Sequence, residues 1–394
     1  MKAIACSCLV LISVISNVAW SQEPNIDNWE EHRAEGLANL HRIITNVLVV
    51  NAQDVFPLND QARDYALHEI PSVARVMKHP AVSGVVVITE DGDVLLEHYG
   101  NGKDRNSTLS DQSATKSVGW ILLNKAIKDG KISLADKVEK HIPEIGPGFK
   151  GRTIGDVAAM AVHHNVAELA AYTGDPVALK MFKRSDVIFG FGRNDKQETL
   201  AEFVQTIEAG GENGSNEWKG ATVNYASINT NVLALAIERA TEVPFAKQVR
   251  RLLHKVGGEN PVYMGTDFDG LPMISGGMCS STVDFARYGR LLIADKAQVL
   301  ADRKASGSSG VVVPAELVHI ESRYYKSAMH NEFGLGHSGW GGQVIWADPE
   351  SGVIVAVNSQ LASKLPAPYP HFDMLYAAAY DIVKHQRAKV KTSR

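Results

Sequence analysis

Ser113 and Lys116 are the residues of this chain whose types and spacing most clearly offer chemistry. A serine hydroxyl is a weak nucleophile until a base removes its proton, and a lysine can be that base if its pKa is lowered. Beyond residue 21, no other serine precedes a lysine by three positions. On a helix this spacing places both side chains on one face. Taken alone, the pattern also fits an N-capping serine followed by a surface lysine.

A tyrosine and a glycine-rich segment supply two further candidate groups. Tyr225 directly precedes an amphipathic helix pattern, and from such a loop its hydroxyl can pass a proton between nucleophile and leaving group. Residues 337–343 run into a strand pattern and contain three glycines, which allow a strand edge to approach a ligand closely. A backbone N–H of this segment and that of Ser113 can form an oxyanion hole. A tyrosine packed at the start of a helix and a plain glycine-rich turn are the structural alternatives.

Strand patterns near both ends of the chain and helical patterns between them must position these groups. Residues 22–78 are helix-prone, and a hairpin follows in which Asp91-Gly92 joins the β-branched run 85–88 to the apolar run 94–96. A helix is predicted from Ser113 to Gly130, and Ser306 to Gly310 has the composition of a surface connection. We expect a sheet from residues 80–110 and 330–360, a helical part over 113–310, and a last helix at about 372–386. This order predicts one α+β domain over residues 22–394.

The first 21 residues have the pattern of a secretory signal peptide. Lys2 is followed by an apolar run to Val18, and Ala19 and Ser21 are the small residues of a cleavage site. The alternative is a retained N-terminal anchor. No later stretch is long and apolar enough to span a bilayer, so we expect a periplasmic or secreted protein without stable membrane insertion. Cys279 is then the one thiol of the mature chain, which excludes an internal disulfide.

Composition and missing motifs exclude several classes of function. The net charge of -4 is spread along the chain, and no basic stripe indicates nucleic-acid binding. The His163-His164 pair has no neighbouring pattern that completes a zinc site. A Gly-x-Ser-x-Gly elbow of the α/β-hydrolases is absent as well. We therefore predict no metal and no organic cofactor, and a small-molecule ester or amide as the partner.

The three motifs, in this order, resemble those of the serine β-lactamase and penicillin-binding protein superfamily. That superfamily carries Ser-x-x-Lys, then Tyr-x-Asn, then Lys/His-Ser/Thr-Gly on a strand. Within it the chain is most similar to 6-aminohexanoate-dimer hydrolases and related carboxylesterases. The stretches that carry the closer resemblance are Tyr225-x-Ser227-x-Asn229-Thr230-x-Val232-Leu233, Gly276–Ser281 before Asp284–Arg287, and Gly342–Pro349.

The resemblance implies a fold and a set of roles. The fold is a largely antiparallel sheet flanked by helices, with an all-helical subdomain and the active-site cleft between them. Ser113 would be acylated, Lys116 and Tyr225 would move protons, and the N–H groups of Ser113 and Trp340 would bind the oxyanion. The remaining implied residues would contact substrate: Tyr172, His337, Ser275 and Gly339.

Three departures from the superfamily pattern bear on the substrate. Ser227 replaces the asparagine of Tyr-x-Asn, His337 replaces the lysine of the third motif, and Ser275 stands where the oligomer hydrolases carry an asparagine. These changes favour small esters or linear amides, cleaved through an acyl-enzyme. A D,D-peptidase or weak β-lactamase is a second possibility. A penicillin-recognising or peptidoglycan-binding module without turnover is the non-enzymatic one.

Overall fold

The hairpin predicted around Asp91-Gly92 forms one end of the main sheet. The computed structural model describes residues 24, 28–172, 174–192, 194–210, 224–361 and 369–392. Strands in the described ranges are β1 (Val47–Val50), β2 (Val82–Thr89), β3 (Val94–Tyr99), β4 (Thr108–Ser110), β5 (Val262–Gly265), β6 (Met278–Ser281), β7 (Val311–Val313), β8 (Ser322–Tyr325), β9 (Ala328–Asn331), β10 (Gly334–Gly339), β11 (Gln343–Ala347) and β12 (Val353–Ser359).

Helices account for most of the remaining described residues. They are α1 (Trp29–Ile43), α2 (Ala66–Glu69), α3 (Pro71–Lys78), α4 (Ser117–Lys128), α5 (Val138–His141), α6 (Ile154–Ala158), α7 (Glu168–Tyr172), α8 (Pro176–Ile188), α9 (Leu200–Phe203), α10 (Ser227–Thr241), α11 (Phe245–His254), α12 (Thr282–Leu292), α13 (Lys296–Ser309), α14 (Ala315–Val318) and α15 (Tyr369–Thr392). Two 3₁₀ turns span Gln112–Lys116 and Val204–Thr206.

The main sheet joins the two ends of the chain, as the sequence predicts. Its eight strands lie in the order β3-β2-β12-β11-β10-β9-β8-β7, and every neighbouring pair is antiparallel. The pairing of β2 with β12 joins a strand from the N-terminal part of the chain to one near the C-terminus. The predicted α+β fold with an antiparallel sheet is confirmed.

Both faces of the sheet are buried, and this explains the unbroken apolar runs in its strands. In β2, Val85 and Val87 pack with α3 and α15, whereas Val86 and Ile88 face the cluster that includes α4, α10 and α12. Successive side chains of a strand point to opposite faces. A strand covered on both sides must therefore be apolar at every position rather than at alternate positions.

A second, four-stranded sheet was not predicted: β1 lies within residues 22–78, which were expected to be helical, and β4 is its one strand within the predicted sheet residues 80–110. Its order is β1-β5-β6-β4, and β4 leads directly into the 3₁₀ turn that contains Ser113. Within residues 113–310, which were expected to be helical, β5 and β6 lie between α11 and α12. Both are only four residues long, too short for alternating polarity to reveal them.

Other differences concern the C-terminal half and the chain ends. The sheet begins again at Val311 rather than near residue 330, because β7 to β9 extend its far edge. Residues 306–309 form the last turn of α13, where Ser306 is buried and its hydroxyl bonds the Arg303 carbonyl. The predicted signal peptide, residues 1–21, lies outside the described residues. So do residues 211–214 of a glycine-rich segment that begins at Gly210. None of the described helices is long and apolar enough to cross a membrane.

Candidate active site

Ser113 and Lys116 lie on the 3₁₀ turn Gln112–Lys116 at the start of α4. In a 3₁₀ turn, side chains three residues apart are eclipsed. The Lys116 amine therefore reaches the Ser113 hydroxyl, with 2.8 Å between Nζ and Oγ. Lys116 is fully buried and so is not the surface lysine of the alternative interpretation.

The backbone that leads to Ser113 is held in an unusual conformation. Gln112 has a φ of +46°, which a residue with a side chain adopts only when its surroundings compensate for the strain. Asp111, which precedes it, is fully buried; its carboxyl group accepts hydrogen bonds from Ser280 Oγ (2.7 Å) and Asn358 Nδ2 (3.2 Å). These contacts connect the turn that carries Ser113 to β6 and β12.

Lys116 Nζ has three hydrogen-bond partners, all of them uncharged. They are Ser113 Oγ, Ser227 Oγ at 2.9 Å and the carbonyl oxygen of Ser275 at 2.6 Å. A neutral amine has two N–H groups and one lone pair. The Ser275 carbonyl can only accept and the Ser227 hydroxyl can accept, so a neutral amine that donates to both can direct its lone pair to the Ser113 hydroxyl.

Burial lowers the pKa of Lys116 to about 8, against the opposing effect of the negative charges of Glu168 and Asp186. The desolvated interior disfavours the charged ammonium. A substantial fraction of the chains thus holds a neutral Lys116 at neutral to mildly alkaline pH. This amine is able to take the proton of Ser113.

Tyr225 joins the same cluster from the loop before α10. Lys116 Nζ lies 5.0 Å from the centre of its ring, and the Ser113 side chain is near enough to lower the pKa of the Tyr225 hydroxyl. Burial, with a smaller contribution from Tyr324, raises the pKa of the Tyr225 hydroxyl well above its ordinary value. Tyr225 therefore remains protonated and can relay a proton, and Lys116 is the stronger candidate for the base.

Tyr172 and Trp340 meet across the site. Tyr172 ends α7, and Trp340 follows β10; their rings stack with centroids 5.8 Å apart and an interplanar angle of 10°. Tyr172 is still 38% exposed, so solvent or a substrate can reach it. Arg33 of α1 lies over the Trp340 ring, 5.6 Å from its centre. Contact of Tyr172 with substrate and oxyanion binding by Trp340 stay predictions.

Gly339 and His337 of β10 lie beside the catalytic cluster in different ways. A Cβ atom on Gly339 would lie 2.6 Å from the Gln112 Cβ and 2.7 Å from the Asp111 carbonyl oxygen, so only glycine allows this approach. The His337 ring is buried, and its Nε2 lies 3.3 Å from the Tyr324 hydroxyl. Burial, and to a lesser degree Lys116, lowers the pKa of His337 to about 3. The ring is therefore neutral, which favours a role in packing near Tyr225 over charge-based binding of a carboxylate.

Ser275 enters the site through its backbone. Its carbonyl oxygen holds Lys116, and its hydroxyl is buried with no hydrogen-bond partner in the described part of the chain. Ser227 has a role that the sequence analysis did not assign. It occupies the third position of the Tyr-x-Ser pattern, where the superfamily carries asparagine, and its hydroxyl binds Lys116 directly. Its place in this motif was the sequence feature from which a role for Ser227 could have been predicted.

Two carboxylates of the helical part were also missed. Glu168, at the start of α7, accepts a short hydrogen bond from the Ser227 N–H, the first amide of α10. Burial and the charge of Glu168 raise the pKa of Asp186 to about 8, although Lys116 lowers it. Both charges act on Lys116 through space, and no sequence pattern links them to it. No cluster of three or more metal-ligating side chains occurs in the described residues.

Comparison with known proteins agrees with this geometry. The family model described as Beta-lactamase matches residues 71–377, more than half of the 394 residues. The chain belongs to the β-lactamase family. The resemblance drawn from the three motifs is thereby confirmed, and the cluster around Ser113 lies within the matched region.

Similar proteins narrow the comparison further. The chain is 24% identical over 276 residues to the 6-aminohexanoate-dimer hydrolase of Paenarthrobacter ureafaciens. The alignment covers 69% of this chain and 68% of that protein. A Bacillus anthracis structure provisionally named a 6-aminohexanoate-dimer hydrolase aligns with a TM-score of 0.72 at 18% identity, over 92% of this chain and 97% of that one. A family VIII carboxylesterase aligns with a TM-score of 0.54 at 13% identity, over 86% and 100%. This protein is a β-lactamase-family hydrolase similar to the dimer hydrolases, and at these identities the structural likenesses show the fold alone.

Proposed function

We propose that this protein is an exported serine hydrolase that cleaves small esters or linear amides through an acyl-enzyme on Ser113. The observation that carries the proposal is the buried contact of 2.8 Å between Lys116 Nζ and Ser113 Oγ, made by a lysine whose pKa is lowered to about 8. A buried amine without a bonded carboxylate is poised to accept a proton.

Acylation begins when neutral Lys116 removes the Ser113 proton as Oγ attacks the substrate carbonyl. The oxyanion that forms is stabilised by the N–H groups of Ser113 and Trp340, since donors fixed before the reaction favour the transition state over the substrate. Tyr225 then passes a proton to the leaving alcohol or amine as the carbonyl–leaving-group bond breaks. The acyl group remains on Oγ.

Deacylation uses the same groups in the opposite direction. A water molecule takes the place of the departed alcohol or amine and loses a proton to the Lys116–Tyr225 pair while it attacks the acyl carbon. The carbonyl–Oγ bond breaks, and Ser113 regains its proton. Because Tyr225 remains protonated in the folded protein, its hydroxyl acts as a relay between the base and the departing group.

Esters are the preferred class of substrate in this proposal. Neutral His337 offers no permanent charge to the carboxylate of a β-lactam. Ser275 presents its carbonyl to Lys116 and has no amide side chain to assist a poor amine leaving group. An alcohol can leave as an alkoxide, whereas an amine must be protonated before it leaves because the amide anion is too basic, so the missing assistance affects esters least. The similarity to the dimer hydrolase makes linear amides the second class to test.

Fluorophosphonate labelling of the purified protein tests the proposal directly. We expect covalent labelling at Ser113, found by mass spectrometry of the labelled peptide, and its loss in Ser113→Ala. Ser117→Ala is the matched control, because this neighbouring serine is buried and bonds Ala114 and Tyr288 instead of Lys116. Labelling that survives in Ser113→Ala contradicts the assignment.

A substrate panel separates the proposed activity from its relatives. We expect the kcat/KM for a p-nitrophenyl ester to exceed that for a 6-aminohexanoate dimer, and both to exceed that for a chromogenic cephalosporin. A cephalosporin that proved best would favour a β-lactamase or D,D-peptidase instead. Labelling of Ser113 without turnover of any substrate would favour a binding module. Export is tested by the N-terminus of the protein recovered from its native host, expected near Gln22.

A further inference from the structure

The turn that carries the Trp340 N–H is the connection between β10 and β11. The Gly342 N–H donates to the Gly339 carbonyl oxygen at 2.9 Å and closes the turn. Gly342 has a φ of +89°, the left-handed value expected where such a turn returns to its strand. The orientation of the Trp340 N–H depends on the peptide units on either side of it, and therefore on what holds Gly341.

Ser359 and His371 lie directly behind this turn. Ser359 ends β12 and is 2% exposed, and His371 lies in the first turns of α15 and is 7% exposed. The Ser359 hydroxyl is 2.5 Å from the Gly341 carbonyl oxygen and 3.0 Å from His371 Nε2. A serine–histidine pair buried to this degree cannot act on a substrate, but it can hold the turn.

The direction of these two hydrogen bonds follows from counting protons. A carbonyl oxygen only accepts, so the single proton of the Ser359 hydroxyl is directed to Gly341. His371 must then donate from Nε2, which leaves Nδ1 without a proton. His371 Nδ1 is buried and faces no hydrogen-bond acceptor in the described ranges, which agrees with a ring protonated on Nε2. The chain of donors thus runs from His371 through Ser359 to Gly341.

The other polar group of Gly341 is held as well. Its N–H donates to Gln343 Oε1 at 3.0 Å, and Gln343 Nε2 donates in turn to the Ser359 carbonyl oxygen at 2.8 Å. The Leu361 N–H adds a second hydrogen bond to the Gly341 carbonyl, at 3.1 Å. The Gly341 backbone is therefore fixed through both its donor and its acceptor, from β11 and from β12.

We propose that Ser359 and His371 are positioning residues that fix the turn 339–342, and with it the Trp340 N–H, for oxyanion binding. The inference rests on the proposed function, because it assigns a task to the oxyanion donor of that mechanism. An oxyanion donor stabilises the transition state only over a narrow range of distance, and a misplacement of about 1 Å can cost about 100-fold in rate.

We call the hydrogen-bonded pair Ser359–His371 the brace. Three variants separate the effect of its hydrogen bonds from the effect of its packing. Ser359→Ala removes both bonds with the loss of one oxygen, and His371→Leu removes the donor but keeps a buried apolar side chain. His371→Gln keeps an N–H near the position of Nε2. His385→Leu is the matched control, because His385 lies on the same helix and its Nε2 bonds Asp64 at 2.9 Å.

We expect Ser359→Ala and His371→Leu to lower kcat on a p-nitrophenyl ester by about 10- to 100-fold, with KM within about twofold of the wild-type value. The rate of fluorophosphonate labelling should fall in parallel, since its tetrahedral adduct uses the same donors. The double variant should be no slower than the worse single variant, because the two bonds act in series. His371→Gln should recover most of kcat, and His385→Leu should retain it.

Hydrogen exchange of the peptide that spans residues 339–343 tests the brace independently of any activity. We expect faster exchange in Ser359→Ala and His371→Leu than in the wild type, and unchanged exchange in His385→Leu. If wild-type Ser113 were not labelled but exchange changed in this way, the proposed function would fail and the brace would stand. A folded Ser359→Ala variant with wild-type exchange and wild-type kcat would overturn the brace alone. If His371→Leu did not fold, Ser359→Ala would decide the question.

Discussion

The charge of Glu168 offers a direct way to alter the base. Glu168→Gln removes the charge of one of the two carboxyl groups that raise the pKa of Lys116, while the glutamine oxygen can still accept the Ser227 N–H. Neutral Lys116 is the active form in the proposed mechanism, so a lower pKa enlarges the active fraction below pH 8. We therefore expect the acid limb of the kcat/KM profile to move to lower pH. Activity near pH 6.5 should rise, although a charge beside the site has been lost.

The pKa of Lys116 sets the size of this effect. With a value of about 8, about one lysine in thirty is neutral at pH 6.5 and about half at pH 8. A displacement of the limb by a full pH unit would raise kcat/KM at pH 6.5 by nearly tenfold. Asp186 limits the rise in kcat/KM. Once Glu168 is uncharged, the Asp186 carboxyl group ionises more readily and restores part of the negative charge near Lys116. We expect about two- to fivefold for Glu168→Gln, and more when Asp186→Asn is added.

The assay is kcat/KM for a p-nitrophenyl ester between about pH 5.5 and 9.5, with thermal unfolding measured on each variant. Glu139→Gln is the matched control, because Glu139 also accepts a backbone N–H, that of Gly151 at 3.0 Å, but does not act on Lys116. An acid limb of folded Glu168→Gln that stays in place or moves to higher pH would refute the reasoning. Either Lys116 would not be the titrating base, or Glu168 would not act on it.

Further predictions concern the nucleophile, its proton-transfer partners and the buried acid before it. Ser113→Ala should abolish acyl-enzyme formation and leave the unfolding temperature close to that of the wild type, which mass spectrometry and thermal melts can check. Lys116→Ala and Tyr225→Phe should each lower kcat by about 10² to 10⁴-fold. Only Tyr225→Phe should keep the acid limb of the kcat/KM profile. Near-full activity in either variant would remove that residue from the mechanism. Burial raises the pKa of the Asp111 carboxyl well above its ordinary value, so the folded state holds a proton that the unfolded chain releases above about pH 4, and the contribution of Asp111 to stability should fall as pH rises. Asp111→Asn should weaken this dependence, and a variant that lost stability at pH 7.5 more than at pH 4.5 would show that Asp111 is ionised.

Local sequence patterns were sufficient for the elements whose signal lies within a few residues. The Asp91-Gly92 hairpin, the helical segment after Ser113 and the strands of the C-terminal end follow from turn residues and from apolar runs of strand length. The Ser113–Lys116 pair is equally local, because three residues of helical spacing bring the two side chains together. The short strands β1, β5 and β6 carry too few residues for such a signal, and pairing with one another and with β4 decides them.

The chemistry of the pair, in contrast, depends on contacts between distant parts of the chain. The sequence determined that a serine and a lysine share one face, but only the tertiary structure removed water from Lys116 and surrounded it with the Ser227 hydroxyl and the Ser275 carbonyl. Glu168, Asp186 and the Ser359–His371 brace likewise have no pattern near Ser113 that points to them. Hydrogen bonds and fields act across space, while sequence periodicity reports only neighbours along one helix or strand. The proposed nucleophile could therefore be predicted from the sequence, whereas the lowered pKa of Lys116 and the contacts that hold the turn 339–342 depend on the fold.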